Sequence, residues 1–193
     1  MHIDKYIQET RSNLESVNNV EFIQLIEESA RLIVKTFIDG GSVLICGNGG
    51  SHSDAQHFAG ELVNFFTREH KALNVITLGT NSTVSTAWAN DHNFEDQFAR
   101  EVQAYGNAKS LFLGITTSGK SANVNKAFIE AKNLGMKTIA LASEKAIANL
   151  PKNIDLIIPV PVQETHKIQE IHIVIYHAIC ILVEENLPAN FLN

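Results

Sequence analysis

Two cysteines, Cys46 and Cys180, are all the chain carries. They stand far apart and neither belongs to a C-x-x-C pair. At most one disulfide is possible, and two buried thiols in a reducing compartment fit the pattern better. Apolar runs long enough to span a bilayer are missing. The first residues, Met1-His2-Ile3-Asp4-Lys5, hold an acid early and no apolar stretch, so they do not read as a signal peptide. A cytoplasmic location, with no membrane partner, is the expectation. Positive charge is also short: 15 Lys and Arg face 21 Asp and Glu, for a net charge of −6. That speaks against nonspecific nucleic-acid binding. It leaves anion binding open, because backbone N–H groups and helix ends set the potential inside a pocket. No low-complexity segment or short internal repeat interrupts the chain.

What is present is an ordinary globular composition, 45% hydrophobic and 19% charged over 193 residues. That length suits one domain with a full core better than two. Leu14, Ile23, Leu25, Ile26, Leu32, Ile33 and Phe37 recur at helical spacing within the first 40 residues. Asn18-Asn19 interrupts them and Gly40-Gly41 ends them. Short apolar runs follow at 42–46, 73–78, 110–115, 137–142 and 154–160. Between them the pattern predicts helices over about 51–66, 81–89, 94–105, 121–134 and 164–185. Apolar strands alternating with helices predict a parallel sheet covered on both faces, with ligands bound beyond the carboxyl ends of the strands.

Two loops sit at those ends. Thr116-Thr117-Ser118-Gly119-Lys120-Ser121 follows the third strand and opens a helix. Hydroxyls and free N–H groups at a helix N-terminus bind phosphate well. An N-cap with spare serines is the plainer alternative. The Gly-x-x-x-x-Gly-Lys-[Ser/Thr] spacing is absent, so the segment is not a P-loop and ATP hydrolysis is not expected. The other loop, Cys46-Gly47-Asn48-Gly49-Gly50-Ser51, lets backbone approach a ligand closely but lacks the Gly-x-Gly-x-x-Gly spacing. His57 and Glu61 follow it, four apart and so on one helix face, which suits a metal or acid–base chemistry as well as a surface pair. In the last helix Gln169 and His177, eight apart, share a side. His172 points away from His177 and reads as structural or surface, and a core role is equally open to His177.

These segments together resemble a known family. Residues 46–62, CGNGGSHSDAQHFAGEL, are similar to the signature of phosphoheptose isomerases. So are residues 115–124, ITTSGKSANV, residues 168–173, IQEIHI, and the pair Asn90-Asp91. The resemblance spans nearly the whole chain and places it in the sugar isomerase (SIS) superfamily. It implies a flavodoxin-like αβα sandwich with a five-stranded parallel sheet and extra N-terminal helices. The implied reaction converts D-sedoheptulose 7-phosphate to D-glycero-D-manno-heptose 7-phosphate, for lipopolysaccharide, capsule or another glycan. Carried over by motif, Thr116, Thr117, Ser118 and Ser121 would hold the phosphate. Asn48, Gly49, Gly50, Ser51, Asn90, Asp91, Glu61 and Gln169 would line the sugar. One zinc ion per subunit would lie on His57, Glu61, Gln169 and His177, with Glu61 as base and His177 as acid. Family enzymes are homotetramers, which gives the N-terminal helices a role in subunit contacts.

Three positions depart from the family pattern. Val63-Asn64-Phe65-Phe66 stands where many members have a basic residue, His166 where some have an acid, and Lys120 where asparagine is common. Helical spacing puts His166 near the Gln169 and His177 side. A non-catalytic relative that binds the bacterial replication initiator is the main rival. Such relatives lack the metal set, which is complete here. An amino-sugar phosphate enzyme would need a glutaminase domain, and a transcription factor a DNA-binding one; neither has room.

Overall fold

A computed structural model of the chain describes residues 2–192. The elements run α1 (Ile3–Ser16), α2 (Val20–Ile38), β1 (Val43–Cys46), α3 (Gly50–Val63), β2 (Val75–Thr77) and α4 (Ser82–Asp91). They continue with α5 (Gln97–Tyr105), β3 (Leu111–Thr116), α6 (Ala122–Asn133), β4 (Lys137–Ser143), β5 (Leu156–Val160) and α7 (Thr165–Asn186). The five strands form one sheet in the order β2-β1-β3-β4-β5, every pair parallel. That is the expected flavodoxin-like order, whose direction reverses between β1 and β3.

The sheet's two faces can be read residue by residue. Val43 and Ile45 of β1, Leu111, Leu113 and Ile115 of β3, and Ile139 and Leu141 of β4 pack with α2, α3 and α7. Leu44, Cys46, Phe112, Ala140 and Ala142 point the other way, into a second cluster with α5 and α6. Both faces are dry, so each strand reads as a continuous apolar run. Gly114 has no side chain because a Cβ there would lie 2.6 Å from the Phe128 ring. Cys46 and Cys180 are buried free thiols.

Several boundaries differ from the pattern. The second strand keeps only three residues, because Val75 N–H bonds back to Leu73 carbonyl and turns the chain away before it. The segment 94–105 is two pieces: Asn93 accepts from Asp96 N–H and closes a 3₁₀ turn over Phe94–Asp96 before α5 begins. The third helix ends at Val63, three residues short of expectation, for a reason that lies in α7. The N-terminal break is as read, with Asn19 capping α2 through Phe22 N–H. Among the described residues no helix is long and apolar enough to cross a membrane.

Candidate functional site

The site gathers at the β1/β3 reversal. The glycine loop leaves β1 with Gly49 at φ +57 as N-cap of α3, a conformation that L residues rarely adopt. The hydroxyl loop leaves β3 and ends at Ser121, the N-cap of α6. Asn48 and Asn123 tie the two together through reciprocal amide bonds of 2.8 and 2.9 Å. Asn123 falls within the 115–124 motif, but nothing in the sequence announces this pairing.

Within the hydroxyl loop, Thr116 Oγ1 accepts from Gly119 N–H and Ser118 Oγ from Lys120 N–H. Ser143 Oγ donates to Thr117 carbonyl, and Asn149 Nδ2 to Ser118 carbonyl. Gly119, at φ +68, is pressed so close to the chain that a Cβ would lie 2.4 Å from Ala146 carbonyl oxygen. The loop is thus held from behind. At its front, Ser121 makes no capping bond. Among the described residues, the N–H groups of Ser121, Ala122 and Asn123 make no hydrogen bond either. An N-cap serine that caps nothing, above free N–H groups, leaves a set of donors that an anion could accept from. Lys120 is exposed.

The second part lies along α3 and α7. His57 Nε2 and Glu61 Oε1 are 2.9 Å apart. His177 reaches them from α7, and one ligand atom from each of the three falls within 4.8 Å of the others. Tyr176 Oη lies 2.9 Å from His57 Nδ1, which leaves Nε2 on the Glu61 side. His177 Nε2 is fully buried and has no hydrogen-bond partner among the described residues. Burial pushes the His177 pKa down, His57 adds to the shift, and Glu61 opposes it. Burial and His57 thus favour the neutral ring, which keeps a lone pair. Two imidazoles, one carboxylate and an orphaned ring nitrogen fit a divalent transition metal. Gln169 lies two turns before His177 on α7, and its carboxamide faces the glycine loop. A Cβ at Gly50 would be 2.4 Å from Gln169 Nε2.

The remaining candidates are spread around this centre. Asn90 and Asp91 are exposed at the end of α4, where Asn90 Nδ2 donates to Asp91 Oδ1 at 2.8 Å. His166, expected near the Gln169 and His177 side of α7, stacks on Tyr6 of α1, ring centroids 6.1 Å apart. His172 is wholly buried, among the described residues neither ring nitrogen has a partner, and burial pushes its pKa down to about 3. It is therefore structural and not a surface residue.

Sequence reading missed the support around His177. Phe66 stacks on its ring at 4.8 Å. Phe66 is held in turn by Glu184, two turns beyond His177 on α7 and 1% exposed. The Glu184 carboxylate accepts from Phe66 N–H, Thr67 N–H, Thr67 Oγ1 and Arg68 N–H, and His70 Nε2 lies 3.3 Å away. This buried clamp ends α3 early and folds the chain over His177. Asp54, one turn before His57, was missed as well. It is buried, its Oδ2 has no partner among the described residues, and burial raises its pKa to about 6 against the opposing pull of His57.

Known proteins share this arrangement of chain. The SIS domain family matches residues 5–143. A phosphoheptose isomerase of Helicobacter pylori is 44% identical over 163 residues, covering 84% of this chain and 84% of that protein. One from Thermodesulfovibrio yellowstonii is 46% identical over 167 residues, covering 86% and 83%. The solved structure of a phosphoheptose isomerase from Francisella tularensis superposes with a TM-score of 0.88 at 35% identity, covering 95% of this chain and 97% of that one. With a five-stranded parallel sheet, matching motifs and these relatives, the chain belongs to the SIS domain family and, within it, to the phosphoheptose isomerases.

Proposed function

We propose that the chain converts D-sedoheptulose 7-phosphate to D-glycero-D-manno-heptose 7-phosphate through an enediol. The observation that carries this is the convergence of His57, Glu61 and His177 beside a glycine loop bonded to the hydroxyl loop. Thr116, Thr117, Ser118 and Ser121 hold the phosphate, with the free N–H groups at the start of α6. Asn48, Gly49, Gly50, Ser51, Asn90, Asp91 and Gln169 line the sugar.

The reaction moves a proton between C1 and C2. It needs a base at the carbon and an acid at the oxygens. The Glu61 carboxylate takes the proton from one carbon and returns it to the next. The His177 imidazole exchanges a proton with the substrate oxygen; a neutral ring can do this by lending its N–H. Phe66, lying on His177, shields that ring from water. His57, Glu61, Gln169 and His177 would hold one zinc ion per subunit, and the metal there supplies Lewis acidity that stabilises negative charge on the substrate oxygens.

Supporting a homotetramer, α1 contributes no buried residue and turns Ile3 and Ile7 outward, 65% and 60% exposed. We place the protein in the cytoplasm, supplying heptose for lipopolysaccharide or capsule. Turnover of sedoheptulose 7-phosphate tests the reading, with Glu61→Gln and His177→Gln alongside. Each variant is expected to lose about a hundredfold or more in kcat. Full activity in both would remove the assigned roles. Zinc analysis and chelator treatment test the metal; no zinc and no effect of chelator would remove it.

A further inference from the structure

We infer that the cleft between the glycine loop and the start of α5 is a subsite for the neutral, hydroxylated carbon chain of the substrate, read by Gln97 and Ser85. The inference rests on the isomerase reading above. The cleft encloses about 270 Å³ and is lined by Asn48, His52, Ser85, Phe94, Gln97 and Phe98 together with loop glycines. That volume is at the small end of ligand pockets and suits a fragment of a sugar phosphate.

Three observations define what it takes. First, among the described residues no Lys, Arg, Asp or Glu lines the cleft. It offers a phosphate no counter-charge, so its occupant is neutral. Second, its polar side chains are unspent. Gln97 is only 7% exposed, yet among the described residues its carboxamide makes no hydrogen bond. The same holds for the side chains of Ser85 and His52. The Gln97 amide atoms are therefore free to meet the hydroxyl of a bound molecule. An amide, an alcohol and an imidazole each donate and accept, as a polyol requires. Third, Phe94 stands at the rim with its ring 55% exposed, offering an apolar face to the C–H side of a sugar.

The position ties the cleft to the reaction. Asn48 lines it and is also bonded to Asn123 beside the hydroxyl loop. Through Asn48 the cleft adjoins the glycine loop, which the Asn48–Asn123 pair joins to the hydroxyl loop. Gly79, at φ +81, packs directly on Phe98 in the cleft wall, where a Cβ would lie 2.8 Å from the ring.

Steady-state kinetics on sedoheptulose 7-phosphate test this with Gln97→Leu, which conserves volume and removes both amide functions. One lost neutral hydrogen bond predicts a KM raised by about three- to tenfold, with kcat falling less than KM rises. The inhibition constant for inorganic phosphate is expected to stay unchanged, because phosphate sits elsewhere. Ser85→Ala, a milder change, should shift KM the same way by a smaller factor. It carries the test alone if Gln97→Leu does not fold. An unchanged KM in the folded variants overturns the subsite. A phosphate constant moving in step with KM overturns it too, since the change would then act through the glycine loop. A wild type that turns over no sedoheptulose 7-phosphate sinks the isomerase reading instead. Calorimetric titration with that sugar phosphate then decides the cleft: weaker binding by Gln97→Leu supports it, and equal binding overturns it.

Discussion

Replacing Glu184 by glutamine removes a charge from a site with almost no water. In the wild type, Oε2 accepts from Thr67 N–H at 2.8 Å, Thr67 Oγ1 at 2.7 Å and Arg68 N–H at 2.9 Å. Oε1 accepts from Phe66 N–H at 2.5 Å. A carboxamide has one acceptor oxygen. Keeping it on the Thr67 side turns an NH2 group toward Phe66 N–H, so one charge-assisted bond is lost and two donors oppose each other. Such a bond contributes about 1.5–3 kcal/mol, and the remaining bonds weaken as the charge goes, for a total of about 3 kcal/mol. For a chain of this size that lowers Tm by roughly 6–12 °C.

The pH dependence fixes the cause. Burial raises the Glu184 pKa, but the bonds from Phe66, Thr67 and Arg68 outweigh it and hold the carboxyl below its ordinary value of 4.5. A lowered folded-state pKa stabilises the fold above the unfolded value and loses that contribution as pH falls through the folded one. Urea denaturation at fixed protein concentration, at neutral pH and at a pH below the carboxylate range, should show the gap between wild type and Glu184→Gln closing in acid. A gap under about 0.5 kcal/mol at neutral pH, the usual range for an inconsequential substitution, would refute the clamp. A gap of constant size at both pH values would refute its electrostatic origin. Because Phe66 covers His177, kcat should fall in the same variant.

Two other outcomes follow from residues described above. Gly119→Ala forces a Cβ toward Ala146 carbonyl oxygen at φ +68, so the hydroxyl loop must shift; inhibition by inorganic phosphate should weaken by about tenfold or more while the far-ultraviolet spectrum is kept. Asp155 is pulled to a pKa of about 2, because bonds from Lys132, Thr138 and Lys137 outweigh the opposing effect of burial. Its contribution is present above the ordinary Asp value and lost as pH falls toward 2. Asp155→Asn should therefore lower Tm at neutral pH, and thermal melts should show the difference vanish in acid.

Much of the fold is legible because the signals are local. Each central strand is buried on both faces and so reads as an unbroken apolar run. His57 and Glu61 share a face by spacing alone. What escaped depends on contacts between segments distant in sequence. Phe66 and Glu184 are 118 positions apart and meet only because α3 and α7 pack side by side. The Val63-Asn64-Phe65-Phe66 run stood out as a departure from the family pattern, yet nothing in it announces a carboxylate partner. Tyr176 and Asp54 are similar: each sits beside a candidate residue in sequence, but only packing shows that they crowd His57. The stacking of Tyr6 on His166 is of the same kind, since spacing along α7 says nothing of α1.

The Asn48–Asn123 pair has one further consequence. Both partners are carboxamides, each spending one N–H and one carbonyl on the other, so the joint between the two loops carries no titratable group. The spacing between the two loops is indifferent to pH and little affected by salt, whereas on the proposed reading the His57, Glu61 and His177 cluster along α3 and α7 is where protons move. The enzyme thus separates its ruler from its proton-handling parts. A pH–rate profile of this protein should report the chemistry of the cluster without distortion from the frame that measures out the substrate.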